Sequence, residues 1–384
     1  MTSAARGELF PSQEIGSLMK PRWQLLAQRG APWDAAARAE FDEWDTRLGF
    51  ARDAPEAAAA LREGRAPPGG AEAARDLGAL FGLRFLEAAG LARVYDGEAR
   101  RVEMYEHPIR QMDGFAFVGH VRSFDNKYYR KAANTGPVRL RAPYHLEEFD
   151  FVRRHARAVP KIPVTGAYTL ADWTYNEHYL GRRTGWKGKA VRREAQRELV
   201  AAIAREALRP TLAALIDRGA RVIQIDEPAA GTHPGEGDLV AEGFNAATEG
   251  LDAEFSMHIC FSDYRSLFPA LLEAKRCRQW AWEFANRDRD GTDGYAILEL
   301  LREFGDDREV GLGVTDVHRD EVEAPALVAD RIRRAVRILG DPARLWVNPD
   351  CGLRTRSLDV AWAKLTAMRD GAALARAEFA NPRA

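Results

Sequence analysis

The chain has 384 residues, of which 46% are hydrophobic and 29% charged, and its formal net charge is −1. This length suits one large α/β barrel or two medium domains, and the charge gives no electrostatic case for binding nucleic acid or an anionic membrane. Because no apolar run approaches a membrane span, the N-terminus lacks a signal-peptide core, and three cysteines are too few for a disulfide framework, we expect a cytoplasmic protein with free or metal-bound thiols.

Residues 34–92 are predicted to be mostly helical, because Ala-rich segments there carry regularly spaced Arg and Glu residues. A loop is predicted from Arg65 to Gly70, where two prolines precede two glycines. The hypothesis is a helical excursion near the N-terminus of a single domain that spans residues 1–384.

The stretch 115–145 is rich in aromatic and cationic residues, most densely from Arg122 to Lys131. Such a stretch can bind nucleic acid, but the overall charge argues against that interpretation. We predict instead a loop beside a flat, anionic small molecule. Trp173 follows a short strand and can stack on a ring, with core packing as the alternative.

From about residue 160, short apolar strands alternate with helical stretches, and each strand ends in polar residues. The predicted strands are 222–225, 255–259, 279–282, 310–314 and 345–347, and the predicted helices are 190–218, 262–275, 293–305, 321–340 and 356–370. Repeated strand–helix units with chemistry at the C-terminal strand ends are typical of a TIM (β/α)8 barrel. A doubly wound open sheet is the alternative, but it would gather its ligand loops at one topological switch point.

Three of these strand ends carry potential metal ligands. His258 and Cys260 are two residues apart, so that on an extended strand both point to the same face. Glu283 ends the next apolar run, where an unpaired carboxylate would be costly, and Cys351 lies in a turn at another strand end. Nitrogen, sulfur and oxygen ligands of this kind predict a zinc site. Cys277 lies in a charged segment without ligand partners nearby, and we predict no role for it.

The spacing of these ligands bears on the kind of site. A purely structural zinc site commonly ties its ligands close together as Cys-x-x-Cys knuckles, whereas these extend from His258 to Cys351. The wide spacing of the potential ligands in the sequence therefore favours an open catalytic site over a non-catalytic zinc-binding or regulatory protein. Two thiolates also make the metal a weak Lewis acid, which disfavours a hydrolase and favours a site that carries a substrate thiolate.

Three further strand-end or loop residues are candidates for binding and catalysis. The carboxylate of Asp226 can bind a substrate ammonium group, although a helix N-cap is the alternative. The Gly16-Ser17 loop can present N–H groups and a hydroxyl to a carboxylate, although a plain turn is the alternative. His318, which follows a Gly-rich strand, can act as a general acid near neutral pH, and a surface-loop histidine is the alternative.

With these residues assembled, the chain resembles the cobalamin-independent methionine synthase family. The resemblance is strongest in Val222–Pro228, in His258–Tyr264 and from Gly311 to Arg356, where residues 344–353 are very similar to the family's final zinc-ligand motif. It extends from Glu14 to about residue 370 and corresponds to the family's catalytic C-terminal barrel. We therefore expect a short, single-barrel member.

The resemblance implies roles for individual residues. The implied zinc ligands are His258, Cys260, Glu283 and Cys351. The implied homocysteine contacts are Ile15, Gly16 and Ser17 for the carboxylate, and Asp226 and Glu98 for the amino group. The implied donor-side residues are His318 as catalytic acid and Trp173, which stacks on the folate pterin. From the mechanism, we expect Asp316 to orient His318.

The donor side departs from the family pattern at Glu103 to Pro108 and around residues 119–142. The expected reaction is methyl transfer from 5-methyltetrahydrofolate to homocysteine, giving methionine. The alternatives are a methylcobamide donor, including a methyl-donor protein, and an epoxide opened by coenzyme M. A coenzyme M enzyme should lack an amino-group clamp, so that Glu98 with Asp226 favours homocysteine.

Overall fold

The computed structural model describes residues 8–122 and 128–380. The strands, in chain order, are β1 (Arg93–Val94), β2 (Met112–Arg122), β3 (Tyr128–Leu140), β4 (Val159–Pro160), β5 (Ile162–Thr165), β6 (Tyr175–Asn176), β7 (Val222–Asp226), β8 (Glu254–Ile259), β9 (Cys277–Trp282), β10 (Glu309–Thr315) and β11 (Leu345–Pro349). The largest sheet has six parallel strands in the order β11-β10-β9-β8-β7-β5.

This six-stranded sheet forms the buried centre of the protein. Every residue of β5, β7 and β11 is buried, as expected for parallel strands that are covered on both faces. The strands follow one another in chain order without a reversal, so that the sheet has no topological switch point. The α/β prediction is therefore confirmed, and the doubly wound alternative is wrong.

Short pairings extend the sheet beyond β11. Ser12 pairs in parallel with Val347, and Gln13 pairs in parallel with Arg93 of β1. Strand β1 in turn pairs with β4, which ends just before β5 begins. These neighbours lead from one edge of the six-stranded sheet towards the other, as an eight-stranded barrel requires. Closure of the barrel stays a prediction.

Helices alternate with these strands. In chain order they are α1 (Arg22–Gln28), α2 (Ala35–Leu48), α3 (Pro55–Arg62), α4 (Gly70–Ala88), α5 (Glu106–Ile109), α6 (Leu146–His155), α7 (Ala167–Asp172), α8 (Glu177–Gly181), α9 (Lys189–Ile203), α10 (Arg209–Asp217), α11 (Gly237–Thr248), α12 (Glu299–Glu303), α13 (Pro325–Leu339) and α14 (Leu358–Ala380). A π-helical turn, Ala204–Leu208, joins α9 to α10. Within the described ranges, no helix combines the length and the apolar character that a membrane crossing demands.

The helical prediction for residues 34–92 is confirmed by α2, α3 and α4. Their packing is aromatic: Trp23 stacks on Phe50 at a centroid distance of 5.7 Å and meets Phe41 and Phe81 edge to face. Aromatic pairs in such arrangements stabilise a core beyond their buried area. The predicted helices 190–218, 321–340 and 356–370 are confirmed as well.

Two of the predicted helices differ from the structure. Residues 262–275 form only short 3-10 turns, because Phe268 precedes Pro269 and is extended, which excludes a continuing helix. In the predicted helix 293–305, α-helix is confined to α12 and follows a 3-10 turn.

The loop predicted within 115–145 is also wrong. Strands β2 and β3 form an antiparallel hairpin from Met112↔Leu140 to Arg122↔Tyr128, and β3 also pairs with β6. Aromatic and β-branched residues in this stretch favour strands, and the charges obscured that pattern. Residues 123–127, part of the predicted loop, lie outside the described residues.

A substitution at Gly82 of α4 would test how closely this helix packs on the segment that carries Glu98. A Cβ at Gly82 would lie 2.2 Å from the backbone oxygen of Asp96. Gly82→Ala should therefore lower the midpoint of thermal unfolding, with a cost of about 1–3 kcal/mol for overpacking. In Gly181→Ala the new methyl meets no atom within 4 Å, and this control should unfold like the wild type. Equal unfolding temperatures for the two variants, measured by circular dichroism, would contradict the close packing.

Candidate active site

A cavity of about 150 Å³ lies at the C-terminal ends of the parallel strands. Its walls bring together most of the residues that the sequence singled out: Ile15, Gly16, Ser17, Glu98, Trp173, Asp226, His258, Cys260, His318 and Cys351. Glu283 and Asp316 are not among its lining residues. Residues as far apart in the chain as Ile15 and Cys351 therefore share one small space, which is sized for an amino acid or similar small molecule.

Three of these residues form a group that could hold a metal ion. The ligand atoms of His258, Cys260 and Cys351 all lie within 4.8 Å of one another, and the two sulfurs are 3.9 Å apart. The Nδ1 atom of His258 is hydrogen-bonded to the carbonyl of Ala281 at 2.9 Å, which fixes the ring. Its Nε2 atom is buried without a hydrogen-bond partner in the described ranges. A nitrogen and two sulfurs are thus available to one ion.

In the metal-free protein, the short distances between these three side chains and their burial shift the pKa values of all three. The hydrogen bond between the sulfurs holds the pKa of Cys351 well below that of an ordinary thiol, and raises that of Cys260. Burial lowers the pKa of His258, but the adjacent Cys351 sulfur outweighs burial and raises it to about 9. Near neutral pH the metal-free group therefore holds a thiolate beside a thiol and a protonated imidazole ring, and a bound cation would replace their protons.

Glu283 follows β9 and is fully buried. Its Oε1 atom accepts a hydrogen bond from Arg287 at 3.1 Å, and its Oε2 atom has no partner within the described part of the chain. Its carboxylate is not among the ligand atoms that lie within 4.8 Å of one another. Glu283 as a fourth ligand stays a prediction.

Two buried side chains that sequence reasoning missed hold these loops together. Tyr264 donates to the carbonyl of Ile259 at 3.0 Å and accepts from the N–H of Glu283 at 3.0 Å. Asp350 accepts three backbone N–H groups, from residues 284, 285 and 286, at 2.9, 3.0 and 2.7 Å. Gly313 makes room for Asp350, since a Cβ there would lie 2.1 Å from its Oδ1. The Gly-rich strand β10 and the Pro-Asp-Cys sequence were the available signals.

Asp226 ends β7 and faces the cavity. Its Oδ1 atom accepts a hydrogen bond from Gln224 at 2.7 Å, and burial raises its pKa to about 7. Glu98 lies in the left-handed region with φ 58°, and its N–H donates to Asp96 at 2.8 Å. The Ser17 loop packs against the turn after Cys351, because a Cβ at Gly352 would lie 2.9 Å from the Ser17 nitrogen. Candidate groups for an ammonium and for a carboxylate thus line the same walls as the thiols.

His318 and Trp173 lie in the cavity wall beside aromatic neighbours. The His318 ring is 4.6 Å from that of Phe261, and its Nε2 is buried without a partner among residues 8–122 and 128–380. Asp316 accepts a hydrogen bond from the backbone N–H of His318 at 2.8 Å. This bond holds the backbone of the loop and does not involve the His318 ring. Trp173 stacks on Tyr129 at 5.2 Å while it lines the cavity, so that packing and lining coexist.

Comparison with known proteins adds an independent line of evidence. A family model described as "Cobalamin-independent synthase, Catalytic domain" matches residues 81–374. The methionine synthase of Thermoplasma acidophilum is 39% identical over 302 residues, covering 74% of this chain and 84% of that protein. The methionine synthase of Thermococcus kodakarensis is 34% identical over 374 residues, covering 97% of this chain and 95% of that protein.

Solved structures support the fold. A B12-independent methionine synthase from Shewanella sp. W3-18-1, in complex with selenomethionine, matches with a TM-score of 0.73. The match covers 97% of this chain and 99% of that chain at 23% sequence identity, a level at which it bears on the fold alone.

The thiols should differ in reactivity in the metal-free protein. Cys351 is partly exposed and has a lowered pKa, whereas burial raises the pKa of Cys277 to about 12. Because the thiolate is the nucleophile, iodoacetamide at neutral pH should label Cys351 well before Cys277 in the folded protein. Peptide mass spectrometry over a time course measures this order, with guanidinium-unfolded protein as the control in which the thiols react alike. Labelling of Cys277 as fast as Cys351 in the folded protein would contradict the assignment.

Proposed function

This chain belongs to the cobalamin-independent methionine synthase family, and on that premise we propose that it methylates the thiol of homocysteine to give methionine, with zinc as its metal and 5-methyltetrahydrofolate as the methyl donor. The observation that carries the proposal is the composition of the 150 Å³ cavity. A potential metal group, a carboxylate for an ammonium and a loop for a carboxylate all line it, which suits a thiol-bearing amino acid.

The donor set supports zinc as the metal. His258 has an unpaired, buried Nε2, and the sulfurs of Cys260 and Cys351 lie beside it. One nitrogen and two sulfurs are ligands of the kind that catalytic zinc sites use, and they would leave room for a further ligand. We propose that Glu283 would be that ligand and would give way to the substrate thiol. Zinc, when bound, lowers the pKa of a thiol, ordinarily about 8.5, and so supplies a nucleophilic sulfur at neutral pH.

The remaining walls orient the substrate in this proposal. Asp226 and Glu98 bind its ammonium group, and Ile15, Gly16 and Ser17 bind its carboxylate. Both ends of the amino acid would then be fixed in the cavity that Cys260 and Cys351 also line. Holding the sulfur in one place relative to the methyl donor removes much of the entropic cost of a reaction between two molecules.

His318 is the proposed acid. The tetrahydrofolate amine leaves poorly unless it is protonated. His318 lines the cavity, and its Nε2 has no hydrogen-bond partner among the described residues. Asp316 supports this role by holding the backbone of the loop. Trp173 offers its ring for stacking on the pterin. A methylcobamide donor, alone or on a protein, is the alternative, and it would not need the acid.

We also propose that the sheet closes as a single (β/α)8 barrel domain. The pairing of Ser12 with Val347, and of Gln13 with Arg93, supports closure because it links β11 to β1. A closed barrel brings the loop of residues 15–17, which follows Gln13, beside the turn after β11.

The ligand assignment predicts the metal content of single variants. The protein should bind one zinc ion per chain, and Cys351→Ser should lose both zinc and activity because a thiolate ligand is removed. Cys277→Ser changes a buried thiol outside the cavity and should keep both. Atomic absorption on dialysed protein gives the zinc content. Equal zinc in the wild type and Cys351→Ser would refute the ligand assignment.

The ammonium site predicts a selective loss of substrate binding. Asp226→Asn should weaken homocysteine binding by about 1.5–3 kcal/mol, or roughly tenfold to more than a hundredfold, because the charge that faces the ammonium is lost. Zinc content should not change. Isothermal titration calorimetry measures homocysteine binding. Unchanged affinity, together with better turnover of coenzyme M or another amine-free thiol, would favour the alternative in which coenzyme M opens an epoxide.

The acid role of His318 predicts a difference between donors. His318→Asn should leave zinc and homocysteine binding nearly intact and should lower turnover with methyltetrahydrofolate by roughly 10²–10⁴-fold. Turnover with methylcobalamin should fall much less, because the departing cobalt species needs no proton. Methionine formation is measured with each donor on the same zinc-loaded preparation. An equal loss with both donors, or no loss, would remove His318 from the mechanism.

A further inference from the structure

A chain of buried hydrogen bonds connects the walls of the thiol cavity below its surface. The ammonium of Lys161 donates to Oε1 of Gln224 at 2.7 Å. The Nε2 atom of Gln224 donates to Oδ1 of Asp226 at 2.7 Å and to the carbonyl of Ile15 at 2.5 Å. Lys161 also donates to the carbonyl of Glu14. Lys161 is 1% exposed and Gln224 is fully buried, so that solvent does not compete for these bonds.

The chemistry of these groups leaves the Gln224 amide one orientation. Lys161 donates one N–H to the carbonyl of Glu14 and another to Gln224, so that the amide oxygen faces Lys161. Both amide hydrogens then face acceptors, the carboxylate of Asp226 and the Ile15 carbonyl. A flipped amide would set its N–H groups against the ammonium and its oxygen against two oxygens, leaving buried polar groups unpaired. Lys161 therefore fixes the donor side of Gln224 towards the cavity walls.

The single atom Nε2 of Gln224 thus touches both halves of the proposed amino-acid site. Asp226 is the proposed partner of the substrate ammonium, and Ile15 begins the proposed clasp for its carboxylate. We infer that Gln224, oriented by Lys161, is a positioning residue that sets the separation of these two subsites and so selects thiols that carry an ammonium and a carboxylate on the same carbon. This inference rests on the proposed function of the site.

The consequence is a distinction between substrates with two anchoring groups and those with one. An α-amino acid must meet both subsites at once, and a small displacement of either subsite is costly in such an arrangement. A thiol with only a carboxylate or only an ammonium can shift to suit a displaced partner. Loss of the hydrogen bonds of Gln224 should therefore weaken the binding of homocysteine more than the binding of a thiol that carries only one of the two groups, here called a single-headed thiol.

The matched control is Gln279 in the neighbouring part of the sheet. Its Oε1 accepts from Gln13 at 2.6 Å, and it is 2% exposed, so that it resembles Gln224 in type and burial. It does not line the cavity and makes no hydrogen bond to Asp226 or Ile15 in the described ranges. Gln279→Met therefore reports the general effect of removing a buried amide from the strand layer.

The experiment measures the dissociation constants of three thiols on zinc-loaded protein by calorimetry: homocysteine, 4-mercaptobutanoate and 3-aminopropane-1-thiol. In Gln224→Met, the preference for homocysteine over each single-headed thiol should fall about tenfold or more, the size expected for loss of a hydrogen bond to a charged group. Gln279→Met should keep the wild-type preference. Equal weakening of all three thiols in Gln224→Met, or the same loss of preference in Gln279→Met, would overturn the inference.

A second variant and the wild-type protein provide two further tests. Gln224→Glu retains the size of the side chain and an oxygen for Lys161 but loses the donor, so that it should lose the same preference if Gln224→Met does not fold. Retained preference in a folded Gln224→Glu protein would overturn the inference. A wild-type protein that binds zinc yet does not prefer homocysteine over the single-headed thiols would instead refute the proposed homocysteine site, and the inference with it.

Discussion

The close approach of two sulfurs and an imidazole nitrogen inside the protein is the constraint on which the rest of the site depends. Cys260 and Cys351 are held 3.9 Å apart beside an unpaired His258 Nε2. Burying such groups without a partner is unfavourable, and a bound cation relieves that cost. The surrounding loops accordingly carry fixed, buried supports: Asp350 accepts three backbone N–H groups, and Tyr264 links the ends of β8 and β9.

The order of the sheet explains how ligands so distant in the chain meet. Because β7, β8, β9, β10 and β11 are parallel and adjacent in chain order, their C-terminal ends lie along one face. The last residues of each strand therefore lie at this face, among them Asp226 of β7 and His258 of β8. Asp226 and the potential metal ligands share this origin, which accounts for their convergence on one small cavity.

Much of this could be predicted from sequence, because short apolar strands ending in polar residues are a local pattern. That pattern located Asp226, His258, Cys260 and Cys351 correctly in the cavity wall. It could not reveal supports whose partners are far away in the chain: a lone Gln224 in an apolar strand gives no hint of Lys161 or Ile15. The hairpin of β2 and β3 was not predicted because charges obscured its strand pattern. A helix was wrongly predicted for residues 262–275, where Phe268 is extended before Pro269. Nor could sequence alone show that Arg287 pairs with Glu283.

The proposed reaction requires the substrate to bind at the potential metal group as a thiolate. Calorimetric titrations at pH 7 in buffers of different ionisation enthalpy measure the protons released when homocysteine or methionine binds to zinc-loaded protein. Methionine has the same ammonium and carboxylate but no thiol proton, so that the difference isolates the sulfur. About one more proton should be released with homocysteine, because a thiol with a pKa of about 8.5 is mostly protonated before it binds. Equal proton release for the two amino acids would contradict binding as a thiolate.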